Sequence, residues 1–334
     1  MVFRSEIWSK EPYPVKTINK IERREQDLEI NPLSTNLAGL KLENPTMLAS
    51  GVLGYSAESL NRVVKGGAGA VVTKSIGLEP RVGYPNPTVV QAEAGLINAM
   101  GLPNPGIKLY AQEIKYCKTV LRVPVIVSVF GYSADEYAKV AKKAVDAGAD
   151  AVELNVSCPH VQFTGSEIGQ NPKLLAEVVE KVKVAVGKPV IVKLSPNVAD
   201  IAVTAKAAVK AGADVLTAVN TLKAMAIDSE TMLPILSNLK GGLSGPAMKP
   251  VALRCVYDIR EELPDVPIIG CGGISDWTDA VEFFLAGASA VQVGTAIALE
   301  NTDVFKAITK GVETFLRKKH YRSVKEIVNL AHRS

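Results

Sequence analysis

From Leu37 onward the chain alternates short apolar runs of four to six residues with amphipathic stretches of ten to fifteen. Runs that short, apolar throughout, read as strands buried on both faces, and the longer stretches read as helices with one buried stripe. Strands are predicted at Thr46 to Ala49, Ala70 to Lys74, Pro124 to Ser128, Ala151 to Asn155, Pro189 to Lys193, Val215 to Val219, Pro267 to Gly270 and Ala290 to Val293. A phrase recurs at four of the junctions: Gly67-Ala68-Gly69-Ala70, Gly148-Ala149-Asp150-Ala151, Gly212-Ala213-Asp214-Val215 and Gly287-Ala288-Ser289-Ala290. In each, a helix ends at a glycine able to take the left-handed conformation, and a small-residue turn feeds the next buried strand.

Strands alternating with helices build a parallel sheet. Eight such units in roughly 290 residues match an α/β fold of the (β/α)₈ or TIM-barrel type, whose usual size is about 250 residues plus insertions. A doubly wound open sheet is the alternative, but no Gly-x-Gly-x-x-Gly follows the first strand. Residues 76–107 and 222–250 fit no βα unit and are expected as loop insertions over the carboxyl-end mouth of the barrel. Residues 1–34 are polar and charged and read as an N-terminal arm, leaving residues 35–334 as one barrel domain.

Composition narrows the function classes. With 47% hydrophobic and 22% charged residues, the 334-residue chain has material for one large core. No apolar run approaches the ~18 residues of a membrane helix, and the start is too charged for a signal peptide, which places the protein in the cytoplasm. The net charge of +4 is spread along the chain and gives little support to nucleic-acid or membrane binding. Cysteines at 117, 158, 255 and 271 form no Cys-x-x-Cys pair, and histidines stand only at 160, 320 and 332, so no metal site is expected.

Cys158 is singled out by context. It lies in Asn155-Val156-Ser157-Cys158-Pro159-His160, where a buried strand spills into a loop and a proline stops it. In a (β/α)₈ barrel the site is assembled at the carboxyl ends of the strands. Those ends carry Ser50 and Gly51, Lys74 and Ser75, Ser128, Asn155 with Cys158, Lys193, Asn220 and Thr221, Gly272 and Gly273, and Gly294 and Thr295. Amides and lysines in that number need something polar to hold. The glycines after the last two strands offer free backbone N–H groups of the kind that cradle phosphate.

Taken in order, Asn98-Ala99-Met100-Gly101-Leu102-Pro103-Asn104-Pro105-Gly106, Asn155-Val156-Ser157-Cys158-Pro159, Val219-Asn220-Thr221-Leu222, Gly241-Gly242-Leu243-Ser244-Gly245-Pro246 and Gly272-Gly273-Ile274 resemble the dihydroorotate dehydrogenase family. The likeness runs from about residue 37 to 330. It implies an FMN-binding (β/α)₈ barrel that oxidises dihydroorotate to orotate in pyrimidine biosynthesis. Cys158 is then the base that takes the C5 proton, while the flavin takes the C6 hydride. Asn98, Ala99, Met100, Gly101, Leu102, Asn155, Asn220 and Thr221 would contact the substrate, with Lys74 facing its carboxylate or the flavin. Ser50, Lys74, Ser75, Ser128, Asn155, Lys193, Val219, Gly245, Gly272, Gly273, Gly294 and Thr295 would hold FMN, with Lys193 balancing charge on the reduced ring.

Two positions depart from the family pattern, which often carries Asn where His160 and Ser128 stand. A His at 160 is similar to the dihydropyrimidine dehydrogenase branch, so a uracil-type reductase is the alternative. The Cys base and charged arm resemble the soluble class rather than the quinone-reducing one. Leu243-Ser244-Gly245-Pro246 and Tyr321-Arg322-Ser323-Val324 resemble its NAD-linked branch, whose barrel dimer assembles into a heterotetramer with a subunit carrying FAD and an iron–sulfur cluster. A non-catalytic, nucleic-acid-binding barrel is the reading from another class; it leaves Cys158 and the strand-end amides unexplained.

Overall fold

The computed structural model describes residues 31–156 and 165–332. Within them, eight parallel strands close into a barrel: β1 Thr46–Leu48, β2 Ala70–Val72, β3 Val125–Val129, β4 Ala151–Asn155, β5 Val190–Leu194, β6 Val215–Ala218, β7 Ile268–Cys271 and β8 Ala290–Val293. Each pairs with its neighbours in sequence, and β8 returns to β1. One long helix follows each strand: α1 Ala57–Lys65, α2 Ile107–Val120, α3 Ala134–Asp146, α4 Pro172–Ala185, α5 Ile201–Lys210, α6 Lys249–Glu262, α7 Trp277–Leu285 and α8 Val304–Lys318.

The strands were legible as uninterrupted apolar runs because both of their faces are buried, against different cores. Val127, Leu154, Val192, Leu216 and Val291 face outward to the helices. Met47, Ala70, Val72, Ile126, Ala151, Ile191, Val215, Ile269 and Ala290 face inward and form a separate cluster. That inner cluster is closed from below by Leu37, Leu40 and Leu42 of the hairpin Thr35–Leu37/Leu40–Leu42. Burying an aliphatic side chain of this size stabilises the fold by about 1.5–3 kcal/mol, so the hairpin is part of the barrel's core.

The recurring Gly-Ala phrase does what its spacing predicts. Gly67, Gly148, Gly212 and Gly287 all have φ between 104° and 117°. In the first, Gly67 N–H donates to Val64 O and Ala68 N–H to Val63 O, the paired bonds that finish a helix through a left-handed residue. Helix starts are equally local: Ser56, Ser133, Asn171, Asp200 and Asp276 each accept a backbone N–H of the first turn through the side chain.

The two loop insertions carry short strands. Val89–Ala92 and Gly95–Asn98 from the first join Leu222–Ala224 and Gly241–Ser244 from the second in one antiparallel sheet. Neither insertion can complete that sheet alone, so its partners lie more than a hundred residues apart, as in Asn98 opposite Gly242. At the N-terminal edge, Asn31 Nδ2 donates to Glu43 O at 2.7 Å and Val324 N–H to Pro32 O at 2.9 Å. Residues 1–30 of the expected arm, with Cys158 and His160, lie outside the described residues.

Candidate functional site

The strand ends and the antiparallel sheet enclose a cavity of about 460 Å³, within the ~300–1,000 Å³ usual for cofactor and small-molecule sites. Every described strand-end residue named from sequence lines it: Ser50, Gly51, Lys74, Ser75, Ser128, Asn155, Lys193, Asn220, Thr221, Gly272, Gly273, Gly294 and Thr295, with Val219 beside them, while Cys158 lies outside the described residues. Asn98, Met100, Gly101, Leu102 and Gly245 join them from the sheet and its connections. Ala99 does not. It is fully buried with Ile97 and Leu236 on the far side of the sheet, because alternate residues of an extended chain face opposite ways. Asn98 and Met100 therefore face the cavity and Ala99 supports them from behind.

The connection from Asn98 to Gly106 is held in shape by Asn104. Its Oδ1 accepts Gly77 N–H at 3.2 Å and Gly106 N–H at 2.9 Å, and its Nδ2 donates to Leu102 O at 2.9 Å. Arg81 Nε adds a bond to Gly101 O at 2.6 Å. These hold Leu102 at φ 58°, a conformation a branched side chain seldom adopts unaided.

Across the floor runs a hydrogen-bonded chain. Asn220 Nδ2 donates to Asn155 Oδ1 at 3.2 Å, Asn155 Nδ2 donates to Ser75 Oγ at 2.9 Å, and Ser75 and Ser128 hydroxyls are 2.9 Å apart. Two lysines, Lys74 and Lys193, reach this end of the cavity, and among the described residues no carboxylate lines it. Lys74 Nζ stands 5.7 Å from the Tyr55 ring centre, a cation–π contact. Burial works against the Lys193 ammonium, but Cys271 and Glu153 beside it more than offset this, and its pKa is raised. Burial likewise pushes the Cys271 thiol up, outweighing Lys193. With Lys74 and Lys193 lining it, this end of the cavity is electropositive.

The opposite end is built of backbone. Gly245, Gly272 and Gly273 have φ of 93°, 132° and 77°. A Cβ on Gly294 would meet only the Ala49 Cβ at 3.4 Å, so this residue opens onto the cavity. Ser244 and Thr295 hydroxyls are bonded to each other at 2.9 Å beside it. The helix behind Thr295, Ala296–Glu300, has five residues, so exposed N–H groups rather than a long helix dipole would carry an anion here. A ligand that is planar and amide-like at one end and anionic at the other matches both ends.

Sequence reasoning missed several lining residues. Gln292 and Cys271 point inward from β8 and β7, and Leu96, Leu243, Met248 and Ile274 supply apolar walls. For Gln292 the signal was present, as a polar residue at an inward position of an otherwise apolar strand. The walls carried none, since an apolar residue facing a ligand reads like one facing a core.

A family model described as dihydroorotate dehydrogenase matches residues 32–316. The chain belongs to the dihydroorotate dehydrogenase family. It is 54% identical over 299 residues to the catalytic subunit of dihydroorotate dehydrogenase B (NAD(+)) from Pyrococcus abyssi, covering 90% of this chain and 99% of that one. The identically named subunit of Methanosarcina mazei is 52% identical over 301 residues, covering 90% and 95%. A crystal structure of DHODH in complex with ferulenol from Eimeria tenella superimposes with a TM-score of 0.80 over 93% of this chain and 92% of that one. At 23% identity it speaks for the fold, the closed barrel on which the family's site is built. Among the described residues no helix is long and apolar enough to cross a membrane.

Proposed function

We propose that this chain is the catalytic subunit of an FMN-dependent dihydroorotate dehydrogenase, oxidising dihydroorotate to orotate in pyrimidine biosynthesis. The observation that carries the reading is the two-ended cavity. Its glycine end, where Gly294 opens without obstruction and Gly272 and Gly273 present backbone, suits a phosphate. Its other end offers amides and two lysines and, among the described residues, no carboxylate, which suits an electron-rich heterocycle. FMN has both parts, and when bound it supplies the hydride acceptor that no side chain provides.

The chain's own residues do the rest. Gly245, Gly272, Gly273, Gly294 and Thr295 would hold the phosphate and its chain, with Ser50, Ser75, Ser128 and Val219 against the ring. Asn98, Asn155, Asn220 and Thr221 would pair with the alternating N–H and C=O edge of the pyrimidine, since an amide both donates and accepts. Met100, Gly101 and Leu102 would close over it, with Lys74 facing its carboxylate. Cys158, three residues past Asn155 in the chain, takes the C5 proton as C6 is oxidised. Lys193, whose pKa is raised, would balance negative charge on the reduced ring.

Relatives named as dihydroorotate dehydrogenase at 54% and 52% identity favour this substrate over uracil. Their designation as the catalytic subunit of a NAD(+)-linked enzyme supports a second subunit here as well; the family resemblance in the sequence motifs is what implies that it bears FAD and an iron–sulfur cluster, on a dimer of this barrel in the cytoplasm. An anaerobic visible spectrum tests the reading. The purified protein should be yellow and bleach with dihydroorotate; bleaching by dihydrouracil instead would transfer it to the uracil reductases, and a protein that binds no FMN would overturn it.

A further inference from the structure

Beneath the cavity floor the barrel interior holds a polar layer. Glu153 of β4 has no exposed surface. Its Oε2 accepts Gln292 Nε2 at 2.6 Å and Thr217 Oγ1 at 3.1 Å, while its Oε1 has no hydrogen-bond partner. Gln292 Oε1 in turn accepts Lys193 Nζ at 2.8 Å, and Lys193 Nζ stands 3.9 Å from Glu153 Oε1. Gln292 and Lys193 line the cavity; Glu153 does not.

The polarity of this relay is set from below. A carboxylate needs donors, so the Gln292 amide must turn its nitrogen to Glu153 and its oxygen upward to Lys193. The bridging amide also keeps the ammonium from closing onto the carboxylate: the ion pair stays at 3.9 Å, longer than a charge-assisted hydrogen bond. A buried carboxylate with one bare oxygen is a poor way to stabilise a core, since a neutral, well-packed replacement commonly serves as well or better. What it does supply is a carboxylate 3.9 Å from the Lys193 ammonium at the cavity floor.

We propose that Glu153 is a positioning residue which, through Gln292, holds the Lys193 ammonium at the cavity floor and offsets part of its charge, so setting how strongly the bound flavin favours reduction. This rests on the FMN reading above. Reduction places negative charge on the ring. Lys193 draws that charge in, and Glu153 opposes it.

The two links of the relay predict shifts of opposite sign. Removing the negative charge in Glu153→Gln keeps the side chain's shape and should favour reduced flavin at least tenfold, about 30 mV more positive for a two-electron couple. Gln292→Met removes the bridge, lets Lys193 close onto Glu153 and away from the cavity, and should shift the equilibrium at least tenfold the other way. In a Lys193→Met background the Gln292→Met shift should vanish, because the bridge acts by placing that ammonium.

The experiment is a spectroscopic redox titration of the FMN-loaded variants, with flavin affinity measured in parallel. Opposite shifts, with the Gln292→Met shift lost in the Lys193→Met background, support the inference. Less than twofold change in both variants with flavin still bound, shifts of the same sign, or a Gln292→Met shift that persists without Lys193 would each overturn it. If Glu153→Gln does not fold, Gln292→Met alone decides by sign. Failure of the underlying reading is distinguishable, since wild type would then neither hold FMN nor bleach with dihydroorotate.

Discussion

Asn155 Nδ2 donates to Ser75 Oγ at 2.9 Å, joining residues eighty positions apart at the ends of β4 and β2. These strands are not neighbours; β3 lies between them and contributes Ser128, whose hydroxyl meets Ser75 at 2.9 Å. Ser75 thus orients the Asn155 amide, leaving its oxygen to Asn220. Ser75→Ala frees that amide to rotate, and misplacement of a binding group by a fraction of an ångström to an ångström costs up to about a hundredfold in rate. The expected outcome is a tenfold to hundredfold fall in kcat/KM, on that scale, with flavin content and melting temperature near wild type, read by steady-state kinetics and absorbance.

The cysteines divide by reactivity. Burial, reinforced by Glu113, pushes the Cys117 thiol up to about 11, and burial with Asp258 does the same for Cys255. Cys271 is buried and its thiol is raised too. The thiolate is the nucleophile, so these three stay inert at pH 8. Iodoacetamide on the FMN-loaded enzyme should abolish activity while mass spectrometry finds label at Cys158 alone. Label at the other three with activity intact would count against Cys158 as the base.

Two glycines of the cradle should fail differently. On Gly273, at φ 77°, a Cβ would stand 2.6 Å from the Lys249 backbone nitrogen, so Gly273→Ala combines a clash with left-handed strain. Such strain alone costs on the order of 1–3 kcal/mol, and a lower melting temperature is expected. Gly294→Ala meets nothing closer than 3.4 Å and should melt like wild type. Its methyl would take up ligand space instead, weakening FMN binding at least tenfold, on the order of 1.4 kcal/mol. Titration of apo-protein with FMN separates the two.

Asp276 caps α7 by accepting Thr278 and Asp279 N–H; partial burial raises its pKa, but the Thr278 hydroxyl, these two N–H groups and Lys249 outweigh it and hold the carboxyl below the usual carboxylate range. Asp276→Ala should cost about 1 kcal/mol, the usual value of an N-cap. Because the folded-state pKa is depressed, the charge-dependent part of this stabilisation is complete above the unfolded carboxylate pKa of ~3.9 and is lost as pH falls through the folded value. Denaturation of wild type against Asp276→Asn should therefore show a constant difference from pH 5 to 8 and a shrinking one below pH 4.

The sequence by itself determined the elements and their periodicity. Gly67, Gly148, Gly212 and Gly287 announce helix ends because the left-handed residue and its two bonds lie within one turn of chain. The eight strands announce themselves because both faces are buried, and the strand-end polar residues follow from the barrel's own geometry. Only the tertiary structure decided the roof and the foundation of the site. The insertion strands pair across more than a hundred residues, as Asn98 does with Gly242, and neither half shows its partner. Ala99 turned out to face away from the cavity for the same reason that Asn98 faces in, a strand alternation that a motif read as one block conceals. Glu153, Lys193 and Gln292 come from three strands, and their meeting depends on the stagger of a closed barrel. Local bonds are written in neighbouring residues, whereas contacts across a closed sheet depend on which side chains share a layer, and that is settled only when β8 meets β1.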